Sequence, residues 1–92
     1  MISAQSRPRL APKARLRYDR RASRYMLLYP ERGLELNPTA SDVLHRCTGD
    51  RTVSSIVNEL AGKYGQDPVT VEREVLAFLA ALVERGLLRE SS

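Results

Sequence analysis

The chain has 92 residues, 42% of them hydrophobic, and a formal net charge of +4. That length holds one domain with a single modest core, and no apolar run approaches the ~20 residues of a membrane-spanning helix. The opening MISAQSRPRLAPKARLR lacks the apolar block of a secretory signal, and one cysteine excludes both an internal disulfide and a cysteine-rich metal site, so the expectation is a soluble cytoplasmic protein.

Residues 1–14 contain Pro8, Pro12 and several polar side chains, and read as a flexible basic arm ahead of a folded body over 15–92. Residues 1–24 hold eight Lys and Arg against the single acid Asp19, a net +7, which leaves −3 for the rest. On this reading, deletion of Met1 to Ala11 leaves stability nearly unchanged. Period-two alternation begins at Leu16, and LRYD (Leu16 to Asp19), RYMLLYP (Arg24 to Pro30) and LELN (Leu34 to Asn37) read as three strands joined by the turns RRAS and ERG. Such short turns make an antiparallel meander, with the third strand at an edge. In the second strand Tyr25, Leu27 and Tyr29 face one way, Met26 and Leu28 the other. Both sets are apolar, so both faces are expected to be covered.

Three helices follow. Asn37-Pro38 is a cap followed by a first-turn proline, whose missing N–H has no helical partner to lose, and Ala40, Val43, Leu44 and Cys47 line one face up to the break at Thr48-Gly49-Asp50. Thr52 caps a second helix with apolar positions Val53, Ile56, Val57, Leu60, Ala61 and Tyr64, ended by Gly65. Asp67-Pro68 opens a third, running to Arg85 before Gly86, with Leu87 and Leu88 packing back. In that helix Val71, Val75, Phe78 and Leu82 form one stripe, while Leu76 and Val83 lie well round from it, with Leu79 between. The apolar arc spans roughly 160°, wider than the ~100° of a surface helix. Such a helix is either central in a small core or has one wall on the core and the other on a groove. The fold class is therefore α+β: a three-stranded antiparallel sheet followed by three helices, winged helix-turn-helix-like.

Catalytic chemistry has no constellation here. His45 is the only histidine and Cys47 the only cysteine, so neither a metal site nor a Ser-His triad can be assembled, and the scattered glycines make no phosphate loop. No catalytic residue, metal ligand or cofactor is assigned. A nucleic-acid-binding winged helix is the alternative class. A reading helix needs Arg, Lys, Asn or Gln on its exposed face, whereas the third helix offers Glu72, Glu74 and Glu84 against Arg73 and Arg85. Carboxylates there repel phosphate, which favours a partner other than nucleic acid.

RPRLAP, LRYD, YMLLYPERGLELNPTASDVL, GDRTVSSIVNEL and LAALVERGLL, in that order from Arg7 to Arg89, resemble the coenzyme PQQ synthesis protein D family. The resemblance implies a non-catalytic recognition domain for a ribosomally made, modified peptide. It implies binding of the precursor peptide PqqA and of the radical SAM enzyme PqqE, which cross-links a Glu and a Tyr of that peptide, with no nucleic-acid or membrane partner. Recognition domains of other modified-peptide pathways share the pattern. Relatives of this type add the leader peptide as a strand beside the third strand and against the third helix. In this chain those positions are Leu34, Glu35, Leu36 and Asn37 on the strand, and Val71, Val75, Phe78 and Leu82 on the helix. An unpaired strand edge is a template for such addition. The same edge also offers itself to a second copy of the chain, giving a homodimer.

Overall fold

The computed structural model describes residues 1–91. Its elements in chain order are β1 (Arg7–Leu10), β2 (Arg15–Asp19), β3 (Arg24–Tyr29), β4 (Arg32–Glu35), α1 (Pro38–His45), α2 (Val53–Tyr64), α3 (Pro68–Glu84) and β5 (Leu88–Ser91). The meander and the three helices expected from the sequence are present. The strands form two sheets rather than one: β2-β3-β4, and a separate antiparallel pair, β1-β5.

The second sheet corrects the picture of residues 1–14 as a flexible arm. β1 pairs with β5 from Arg7 opposite Ser91 to Leu10 opposite Leu88. Its other side is held as well: Gly49 N–H donates to Pro8 O at 2.9 Å, and Val53 and Ser54 N–H donate to Ser6 O and Ala4 O, both at 2.9 Å. Ile2, Pro8 and Ala11 are buried while Arg7 and Arg9 are exposed. The alternation that marks a half-buried strand is thus present in RPRL. It is carried by a proline and a leucine between arginines, a pattern that reads as solvated charge in isolation. Proline fits because this strand's satisfied groups at position 8 need its carbonyl, not a donor.

The meander differs from expectation at its last turn. The chain reverses in two residues, Pro30 and Glu31, with Glu31 at φ 67°, so that Tyr29 lies opposite Arg32 and pairing resumes two residues before Leu34. The expected strand over Leu34 to Asn37 is therefore β4 at Arg32–Glu35, and Gly33 lies within the strand instead of in the turn. A Cβ at Gly33 would stand 3.1 Å from Leu28 Cδ2 and 3.2 Å from Met26 Cε, so the missing side chain admits these two over the strand. Pairing continues one residue past β4, where Leu36 N–H donates to Tyr25 O at 3.0 Å.

The helices begin and end as their caps dictate. Asn37 Oδ1 accepts from Ala40 N–H at 2.7 Å, Thr52 Oγ1 from Ser55 N–H at 3.1 Å, and Asp67 Oδ1 from Val69 N–H at 3.3 Å. Gly65 closes α2 in the left-handed region at φ 63°. After α3, Gly86 at φ 73° turns the chain so that Leu87 N–H meets Leu82 O at 2.9 Å, which returns Leu87 and Leu88 to the core. That core joins Leu27 of the sheet to Leu44, Ile56, Leu60, Leu79 and Leu82 of the helices. Each such aliphatic side chain contributes roughly 1.5–3 kcal/mol on full burial.

Candidate functional site

β4 is an edge: it has β3 on one side and, among the described residues, no strand on the other. In an antiparallel ladder the backbone groups of successive residues point alternately to the two sides. Because Leu36 bonds inward to Tyr25, Leu34 and Arg32 also face β3, and the N–H and C=O groups of Gly33 and Glu35 face outward. β2 is the sheet's other edge, and its exposed Arg15 and Arg17 bring the charge that guards an edge against pairing. β4 brings Gly33 and an exposed Glu35 side chain held in an ion pair with Arg24 at 3.4 Å.

At the end of β4 lies a cleft of about 190 Å³ between the β4–α1 junction and α3. Buried Val43 and Val75 form its base, half-buried Ala40 and Phe78 its walls, and Asn37, Thr39 and Glu74 its polar mouth. At the opposite end of the strand, Arg85 Nη2 donates to Tyr29 Oη at 2.8 Å, with the guanidinium 5.7 Å from that ring's centre. Tyr29 lies opposite Arg32, so these contacts bring Val75 near the end of β4 and Arg85 near its start. Some ten helical residues at ~1.5 Å cover the same length as four or five strand residues at ~3.3 Å.

α1 is held in place from its far side. Asp42 accepts hydrogen bonds from Lys63 Nζ at 2.8 Å and from the Tyr64 hydroxyl, which lowers its pKa below the ordinary carboxylate value and raises those of Lys63 and Tyr64. Arg46 Nε binds Glu59 at 3.0 Å, and Arg51 binds the same carboxylate, holding it ionised. These pairs tie α1 to α2 and so aim Ala40 and Val43 at α3. Burial pushes the Cys47 thiol up to about 12, which leaves it an inert apolar group. His45 packs edge-on to the Tyr25 ring with centres 4.5 Å apart.

Of the residues proposed from the sequence, the structure brings Asn37, Val75 and Phe78 together in the cleft. Leu36, Val71 and Leu82 are buried in the core, Leu34 is half-buried against it, and Glu35 is exposed on the other face of β4. The buried stripe of α3 is Val71, Val75, Leu79 and Leu82, so most of the stripe assigned to the groove serves the core, and Phe78 beside it is the residue left half open. Ala40, Val43, Thr39 and Glu74 line the cleft and escaped sequence reasoning. The first two lie on the apolar face of α1, and nothing in the spacing of one helix tells that α3 stops short of them.

The fold and the cleft define a small α+β module whose β4 edge stands open beside an apolar cleft. The chain belongs to the coenzyme PQQ synthesis protein D (PqqD) family, whose model matches residues 24–88. It is similar to the "PqqA binding protein" of Rhodopseudomonas palustris strain BisB5, 39% identical over 98% of this chain and 88% of that one. It is also similar to the protein of the same name from Xanthomonas oryzae pv. oryzae strain PXO99A, 36% identical over 96% of each. Among solved structures it matches the solution NMR structure of the PqqD truncation of Methylobacterium extorquens PqqCD, described as a functional, stand-alone recognition element for ribosomally synthesized and post-translationally modified peptides. The TM-score is 0.84 and the identity 36%, over 97% of this chain and 95% of that chain. PqqD from Xanthomonas campestris matches with a TM-score of 0.61 and 34% identity over 97% and 99%.

Proposed function

We propose that this protein binds the precursor peptide PqqA by adding it as a strand to the open edge of β4, and presents it to the radical SAM enzyme PqqE in pyrroloquinoline quinone biosynthesis, with no catalysis of its own. The observation that carries the mechanism is the outward-facing backbone of Gly33 and Glu35 beside the apolar cleft of Val43, Val75 and Phe78. The strand edge supplies main-chain hydrogen bonds and the cleft takes alternate side chains, the division of labour of strand addition. The relatives named PqqA binding protein support this peptide as the ligand. The sheet and three helices are read as a winged helix-turn-helix-like arrangement turned to peptide binding, acting in the cytoplasm.

Hydrogen exchange followed by NMR, with and without PqqA, tests the mechanism. The amides of Gly33 and Glu35 exchange fast in the free protein and slowly in the complex, while Leu34 and Leu36, already bonded to β3, are protected in both. Protection confined to β1 or α2 on peptide binding rejects strand addition at β4. Absence of peptide binding rejects the function.

A further inference from the structure

The outer face of the three-stranded sheet is apolar at its centre and is covered by none of the described residues. The register sets Arg15 opposite Leu28 and Arg17 opposite Met26, and continues across to Gly33 and Glu35 on β4. Leu16, Tyr25, Leu27, Tyr29 and Leu34 join the core, whereas Met26 and Leu28 do not, although both are half-buried by their neighbours. The helices thus cover one face of β3 only. The expectation from the sequence that both faces are covered is unmet within the chain. Met26 and Leu28 floor an open depression of about 640 Å³ whose rim carries Arg17, Tyr18, Arg20 and Arg21. The β2–β3 turn, where Asp19 Oδ1 accepts from Arg21 N–H at 2.9 Å, brings the last two arginines to the same side. Among the described residues no carboxylate forms an ion pair with Arg15, Arg17, Arg20 or Arg21.

We propose that this outer face docks an acidic protein surface bearing an apolar projection, with Met26 and Leu28 receiving the projection and the four unpaired arginines meeting the carboxylates. The composition supports a protein rather than a nucleic acid. Met, Tyr and Arg are the residue types enriched at protein interfaces, and lysine, depleted there, is absent from this depression. On the reading given under Proposed function, the acidic surface belongs to the radical SAM enzyme. A peptide strand added to β4 would extend this sheet and alternate its side chains between the two faces. One set enters the α3 cleft and holds the peptide. The other set projects on the outer face, beside the docked enzyme. The outer face leaves the β4 edge itself uncovered, so peptide and enzyme bind together.

The test titrates the full-length 15N-labelled protein separately with PqqE, with PqqA and with a random-sequence DNA duplex, in the unaltered form and as the double variant Arg17→Glu, Arg21→Glu. Both side chains are exposed, and thermal unfolding checks that the fold is kept. The expected result is binding of PqqE weakened about tenfold or more by the charge reversal, with salt sensitivity reduced, PqqA affinity unchanged, and PqqE-induced shifts on Arg17, Met26 and Leu28. The milder Met26→Gln variant weakens PqqE binding with the charges intact. PqqE binding that is unaffected by the double variant, or absent in the unaltered protein, overturns the docking inference, while retained PqqA binding leaves the peptide-binding reading standing. Loss of PqqA binding with arginine-dependent PqqE binding does the reverse. Duplex binding tighter than PqqE binding, or a dimer in sedimentation that the double variant converts to monomer, also overturns it.

Discussion

β1 and β4 are both four-residue strands with a single strand partner, and they meet opposite fates. On the far side of β1 the α1–α2 loop closes in, with Gly49 bonded to Pro8 and Val53 to Ser6. On the far side of β4 nothing among the described residues bonds to the backbone of Gly33 or Glu35. The difference is one of chain connection. β1 is crossed by the segment that carries the chain from α1 to α2, whereas the turn at Asn37-Pro38 takes the chain away from β4 at once. A strand with both sides satisfied serves the fold. A strand with one side open is available for pairing with another chain.

Removing β1 gives the largest effect. Deletion of Met1 to Ala11 takes away Ile2, Pro8 and Ala11 and uncovers Leu87 and Leu88. It is expected to cost roughly 3 kcal/mol or more from lost apolar burial alone, contrary to the expectation from sequence. Chemical denaturation measures it, and in the same sample the amides of Gly49, Val53 and Ser54 exchange faster while those of Gly33 and Glu35 do not change. An unaltered denaturation midpoint would restore the free arm and erase the contrast between the strands.

A pair of truncations sharpens it further. Leu10→Ala beside β5 and Phe78→Ala beside β4 both remove a half-buried side chain, and each is expected to lower stability by about 1–2 kcal/mol, below the cost at fully buried sites. Only Phe78→Ala should also weaken PqqA binding, by roughly tenfold, if its ring anchors the peptide. Calorimetry that finds equal affinity losses in the two variants places the peptide elsewhere.

The smallest effect lies in the support of the cleft. Lys63, then Tyr64, lowers the pKa of Asp42 below its ordinary 3.8. Its stabilising share is therefore complete above about pH 4 to 5, and is lost as pH falls through the lower folded value. The pair is partly exposed, so Asp42→Asn should cost no more than ~1 kcal/mol near neutral pH. The variant should show a shallower loss of stability on acidification. An acid limb identical to that of the unaltered protein would remove Asp42 as the tie between α1 and α2.

Much of the fold was legible because its signals are local. Asn37-Pro38, Thr52 and Asp67-Pro68 cap their own helices through side chains that accept from N–H groups two or three residues on. The apolar rows of Val53 to Tyr64 and Val71 to Leu82 follow from helical geometry alone. The start of β4 is not legible in the sequence, because glycine reads as a turn residue, whereas a positive φ at Glu31 closes the turn and Gly33 makes room for Met26 and Leu28. Strand β1 is hidden in the sequence because its apolar alternation is short and set among arginines.

The sequence by itself determined the number and order of the helices, the central meander, the absence of a helix able to span a membrane, and the family pattern, since each rests on neighbours within one or two turns of chain or on an ordered set of motifs. Tertiary structure decided which strand edge stays open, which wall of α3 is buried, and that Ala40 and Val43 meet Phe78 across a cleft. Those outcomes depend on contacts between separate elements, such as Val43 of α1 with Val75 and Phe78 of α3. A period of 2 or 3.6 gives the face on which a side chain lies, and only the packed chain sets what stands opposite that face.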